Sequence, residues 1–113
     1  MLPWLATPEP WFEGIVQRAR EIRRLYEAVE RDAYGRPWSL EELTLGLVGD
    51  VGDLAKLVQA HEGVRKVDDV QVRLEHELAD VLWSIIAIAE QCDVDLEGAF
   101  VATMDQLARE LGA

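Results

Sequence analysis

The chain has 113 residues, half of them hydrophobic, a length that supports one domain around one core and leaves no room for two. Its 22 acidic and 11 basic residues give a formal net charge of −11, which repels a phosphate backbone at long range and argues against nucleic-acid binding. The same surplus of carboxylates suits hard divalent cations if several converge, because such ions prefer oxygen ligands. The single cysteine, Cys92, follows a strongly apolar run and has no partner for an intramolecular disulfide, so a reducing compartment and a buried, inert thiol are expected. The opening residues Met1-Leu2-Pro3-Trp4-Leu5-Ala6 lack a basic region followed by a long apolar stretch, and no uninterrupted apolar run approaches ~18 residues. A soluble, cytoplasmic protein without membrane contact is the expectation.

Four segments carry a helical period and none shows sustained two-residue alternation, so the fold class is all-α. The first helix should start near Thr7, an N-cap followed by Pro8, and run through Trp11, Ile15, Ile22, Leu25 and Val29 to end before Gly35-Arg36-Pro37. Its Arg20, Glu21, Arg23, Arg24 and Glu27 are most simply a solvated face. Ser39 and Glu42 have the spacing of a capping box, opening a second helix whose core stripe is Leu43, Leu47, Val51, Leu54 and Val58 and which ends around His61-Glu62-Gly63. The third helix should start at Asp68 or Asp69. Its Leu74, Leu78, Val81, Leu82, Ile85, Ile86 and Ile88 cover a wider sector, which makes it the central, most buried helix. Asp95 can cap a fourth helix containing Leu96, Phe100, Met104 and Leu107 and closing near Gly112. Short connections favour a four-helix antiparallel bundle. Apolar faces this wide in so short a chain tend to finish their burial on another subunit, so a homodimer or homotetramer is expected.

Asp50 and Asp53 are three residues apart on the second helix, and Glu77 and Asp80 repeat the spacing on the third. Each pair therefore shares a side of its helix, next to the apolar stripe. Packed together, the two helices would point all four carboxylates into one cleft. Close carboxylates resist joint ionisation, and a divalent cation removes the conflict. Oxygen ligands without Cys or His suit Mg²⁺ or Mn²⁺ better than Zn²⁺. Spacing alone leaves a second possibility open, because 22 acids in 113 positions produce many chance pairs of ordinary solvated side chains.

Leu47-Val48-Gly49-Asp50-Val51-Gly52-Asp53-Leu54-Ala55 is similar to the E-V-G-E-L-A segment of MazG-type NTP pyrophosphohydrolases, and Glu77-Leu78-Ala79-Asp80-Val81-Leu82-Trp83 resembles that family's E-L-x-D-V-L-W run. The likeness covers roughly residues 39–105 and is greatest to the dCTP pyrophosphatase branch. It implies an all-α fold and Mg²⁺-dependent hydrolysis of a nucleoside triphosphate between the α and β phosphates, giving a monophosphate and pyrophosphate. The expected role is the clearing of non-standard or surplus nucleotides. Carried over residue by residue, Asp50, Asp53, Glu77 and Asp80 are the catalytic metal ligands, or one of them acts through a bound water as general base.

The chain also departs from the pattern. Asp50 and Asp53 are one methylene shorter than the usual glutamates, Thr103 and Leu107 stand where relatives often carry Lys and Asn, and Ala60 and Ser84 replace aromatic pocket residues of dCTP-specific relatives. The rival expectation is therefore a catalytically attenuated relative, a nucleotide-binding or structural interaction protein.

Tyr34 and Trp38 precede the second helix, where aromatic rings can stack on a base or simply pack. Arg65, Lys66 and Arg73 can meet phosphate groups, but a loop of solvated charges is the simpler reading. His61 suits the end of the second helix, His76 lies on a different face from Glu77, and neither has the setting of a ligand. Trp83 fits a pocket or a subunit interface equally.

Overall fold

The structure, a computed structural model, describes residues 11–112. Among them the chain forms four helices and no strand: α1 (Trp11–Tyr34), α2 (Leu40–His61), α3 (Val70–Gln91) and α4 (Leu96–Glu110). The expected cap at Thr7 and Pro8 lies outside the described residues. No described helix is long and apolar enough to cross a membrane.

Local chemistry sets the boundaries. The capping box opens α2 as expected: Ser39 Oγ accepts the Glu42 N–H at 3.2 Å and the Ser39 N–H donates to Glu42 Oε1 at 2.9 Å. Arg36 pairs with the same carboxylate at 2.6 Å. Gly63, at φ 83°, takes the chain out of α2 in a conformation that costs glycine little. Asp95 caps α4 by accepting the Gly98 N–H. Asp69 stands just before α3 without capping it, because its backbone is left-handed (φ 54°) and its side chain makes no cap bond.

α2 and α3 form the principal packed pair. They run antiparallel, since Asp53 and Leu57 share a cleft with Arg73, His76 and Glu77 at the start of α3. α1 packs against the second half of α3, also antiparallel: Arg20 makes a two-pronged bond to Glu90 at 2.6 and 3.1 Å, and the Trp83 Nε1–H donates to the Ala19 carbonyl at 3.1 Å. The Trp83 ring meets Tyr26 at 5.3 Å. This tryptophan thus joins two helices of one chain.

The buried core is centred on α3, through Ser84, Ile86, Ala87 and Ala89, with Ala19, Leu43 and Leu57 from the other helices. On α2 the inward face differs from the expected stripe. Val51 and Val58 are 47% and 46% exposed while Leu57 is 8%, a rotation of roughly 50° about the helix axis at 100° per residue. The α3 face beyond α1 and α2 leaves Leu78, Leu82 and Ile85 exposed, and α4 has no buried residue.

Two expectations about individual side chains are corrected. Arg23 is not solvated: it pairs with the buried Glu30 at 3.2 Å, and both are withdrawn from water. Cys92 is exposed, because it follows the last residue of α3 and sits where the chain leaves the core.

Candidate metal centre

The rotation of α2 turns Asp50 into the packed face rather than beside it. Residues 46, 50, 53 and 57 follow one another on a single stripe of the helix, so Asp50 and Asp53 approach α3 between Gly46 and Leu57. Glu77 meets them from α3. Carboxylate oxygens of Asp50, Asp53 and Glu77 lie within 4.8 Å of one another. Asp80 stands about one turn further along α3, outside that tightest group, with its Oδ2 3.4 Å from His76 Nε2. His76 therefore neighbours the fourth carboxylate.

The cluster is electrostatically strained. Burial, then the negative charge of Asp80, raises the Asp50 carboxyl above its ordinary range, with a hydrogen bond to Glu77 pulling the other way. Burial also raises Glu77, reinforced by Asp50, Asp80 and Asp53. Glu77 Oε1 is buried and has no hydrogen-bond partner, a costly state for a carboxylate oxygen. Converging hard oxygens, mutual repulsion and an unpartnered buried acceptor fit a divalent cation such as Mg²⁺. Within the cluster Asp50 and Glu77 are half-buried and Asp53 is exposed.

Tyr34 and Trp38 do not join the carboxylates. They line a separate open cleft of about 520 Å³ with Arg36, Glu42, Leu45 and Gly46. Trp38 closes over Gly46, where an added Cβ would lie 3.8 Å from the indole ring. Arg65 and Arg73 line the cleft on the other side of the carboxylates, together with Asp53 and Glu77, whereas Lys66 does not. Lys56, which the helical period does not single out, lines that same cleft. Its position three residues after Asp53 was the available signal. Glu30 is buried, and nothing in an Arg/Glu-rich segment marks which acid that will be. Ala60 is half-buried and Ser84 is buried. His61 ends α2 and lies 3.7 Å from Glu62.

Comparison with known proteins points the same way. Residues 38–112 match the MazG nucleotide pyrophosphohydrolase domain, a span that contains all four carboxylates. The chain is 38% identical to dCTP pyrophosphatase 1 of Rattus norvegicus over 112 residues, covering 91% of this chain and 60% of that protein. It is also 38% identical to dCTP pyrophosphatase 1 of Homo sapiens over 108 residues, covering 88% and 58%. The chain thus spans about 60% of the length of the curated relatives it matches. With both acidic pairs inside the matched region, the chain belongs to the MazG nucleotide pyrophosphohydrolase domain family.

Proposed function

We propose that this chain hydrolyses a nucleoside triphosphate, (d)NTP, to its monophosphate and pyrophosphate, with Mg²⁺ or Mn²⁺ held by Asp50, Asp53, Glu77 and Asp80. The observation that carries this reading is the meeting of Asp50, Asp53 and Glu77 within 4.8 Å around a buried Glu77 oxygen that no protein group satisfies. When bound, the metal supplies charge neutralisation of the phosphates and a lowered pKa for its water. The protein's own part is to hold Asp50, Asp53 and Glu77 from two packed helices within 4.8 Å of one another, with Asp80 about one turn further along α3 to complete the set.

Tyr34 and Trp38 are assigned to the nucleoside, because their cleft borders the carboxylate stripe at Gly46 and offers an aromatic face. The relatives' name suggests dCTP as the first triphosphate to try. Neither Ala60 nor Ser84 lines the cleft assigned to the nucleoside, so the base preference of the dCTP-specific relatives is not carried over and is treated as open. Clearing of surplus or non-standard nucleotides is the role this activity would serve. The exposed Val51, Leu78, Leu82 and Ile85 support a homodimer or homotetramer in which these apolar side chains are covered. The lone cysteine fits a cytoplasmic setting.

The test is a panel of (d)NTPs with Mg²⁺ or Mn²⁺ and detection of pyrophosphate and monophosphate. Turnover of at least one triphosphate, lost on chelation, is expected; no turnover of any would overturn the proposal and favour a non-catalytic relative.

A further inference from the structure

Beyond Asp53, between the second half of α2 and the start of α3, lies an open cleft of about 530 Å³ whose walls include Asp53 and Glu77 on the carboxylate side and Lys56, Arg65, Arg73 and His76 around them. Resting on the reaction proposed above, we infer that Lys56, Arg65 and Arg73 form the subsite for the terminal phosphates of the triphosphate and hold the departing pyrophosphate.

Three observations carry the assignment. First, the cations are available. Lys56 is three residues from Asp53 and Arg73 four from Glu77, spacings at which ion pairs close readily on a helix. Yet neither has an ion-pair partner among the described residues. Arg65 donates through Nε to the neutral Gln59 side chain at 2.6 Å, which leaves its charge unanswered. In a chain of net charge −11, three cations without an ion pair, outnumbering the two carboxylates Asp53 and Glu77 of the same cleft, make a local site for an anion.

Second, the cleft shares Asp53 and Glu77 with the carboxylate cluster, so an anion seated there abuts the proposed metal site.

Third, the direction is defined. Gly46 lines the aromatic cleft and Leu57 the cationic one, with Asp50 and Asp53 between them on the same stripe. At 1.5 Å per residue, the ends of that stripe are about 16 Å apart, the scale of an extended nucleoside triphosphate. Base on the aromatic side, α-phosphate at the carboxylates and β,γ-phosphates on the cations is the one order that uses all three.

The chemistry needs charge at that end. Water oxygen bonds to the α-phosphorus and the bond from that phosphorus to the α,β-bridging oxygen breaks. The electron pair stays on the bridging oxygen, which leaves with pyrophosphate, and the proton lost by the water passes to a base or to solvent. Negative charge grows on the leaving group, where fixed Lys and Arg donors stabilise it. A nucleoside monophosphate seated with its base on the aromatic side and its phosphate at the carboxylates would not extend to the cations.

Binding of pyrophosphate in the presence of Mg²⁺, measured by calorimetry alongside KM and kcat for a turned-over triphosphate, tests the subsite. Lys56→Ala, Arg65→Ala and Arg73→Ala should each weaken pyrophosphate binding on the order of tenfold, as for loss of a charge-assisted contact. Monophosphate binding should stay unchanged, and Arg73→Lys should recover part of the loss. Lys66→Ala, one residue from Arg65 but outside the cleft, is the control and should bind like wild type. Equal weakening by Lys66→Ala, or wild-type pyrophosphate affinity in Lys56→Ala and Arg73→Ala, would overturn the inference. Turnover with unaffected variants removes the subsite and leaves the reaction. Pyrophosphate binding with the expected sensitivities but no turnover keeps the subsite and removes the reaction.

Discussion

Glu30 holds Trp38 by its backbone: the Trp38 N–H donates to Glu30 Oε1 at 2.6 Å, while Arg23, paired with Glu30 at 3.2 Å, donates through Nη2 to the Trp38 carbonyl at 2.9 Å. Both polar groups of one peptide segment are thus satisfied by a buried ion pair on α1, just ahead of the α2 capping box. The clamp fixes where the aromatic cleft begins. Glu30→Ala would leave Arg23 charged and unpaired and the Trp38 N–H without an acceptor, at a cost of about 3 kcal/mol. Urea unfolding checks this. Replacing both partners, Arg23→Met with Glu30→Leu, should cost less than the sum of the single changes, because no lone buried charge remains. A loss under about 1 kcal/mol for Glu30→Ala would show that the pair does not hold the segment.

The carboxylate cluster should respond oppositely with and without metal. Free of metal, Glu77→Gln removes a charge that burial and three neighbouring acids disfavour, so the variant should melt at or above the wild-type temperature. With Mg²⁺ at a hundredfold over its dissociation constant, the wild type gains about 2.7 kcal/mol by mass action. The variant should gain much less. Thermal melts with and without Mg²⁺ read both effects, and turnover of Glu77→Gln and Asp80→Asn should be nearly abolished. Equal Mg²⁺ stabilisation of wild type and Glu77→Gln would remove Glu77 from the site.

Much of this was legible in the sequence because it is local. The Ser39 and Glu42 box, the Asp95 cap and the turn at Gly63 depend on residues three or four apart, and all four helices were readable from their period. The two acidic pairs were readable for the same reason. What periodicity leaves open is the absolute rotation of a helix, since apolar residues on α2 exceed what one neighbour can cover. Burial therefore fell on Leu57 instead of Val51 and Val58, and that rotation made Asp50 an inward residue. Arg23 and Glu30 were illegible for another reason: their roles depend on a backbone segment eight and more residues away. Lys56, Arg65 and Arg73 meet only because the helix pair folds back on itself.

Acid should loosen the entry to α2. Arg36, followed by the Ser39 backbone N–H, holds the Glu42 carboxyl down at about 2. A group whose folded-state pKa is depressed contributes stability above its ordinary value and loses it as pH falls towards the folded one. The contribution is therefore whole above about pH 5 and fades towards pH 2. Wild type and Glu42→Gln should converge in melting temperature over that interval, with the wild type the more stable at neutral pH. Curves that stay parallel down to pH 2 would contradict the assignment.

The metal centre gives the reverse slope. Asp50 and Glu77 are raised in the folded chain, so between the ordinary carboxylate range and their folded values the folded state carries more protons than the unfolded one. Stability from these two groups is then present at mildly acidic pH and is lost as pH rises through the folded values. Metal-free protein should show this decline, and Glu77→Gln should flatten it. Mg²⁺ acts on the same protons: the cation needs the carboxylates ionised, so its affinity should rise over the same interval and binding should release protons. Calorimetry of Mg²⁺ binding in two buffers of different ionisation enthalpy counts those protons, and their absence at the lower end of the interval would falsify the assignment of this site.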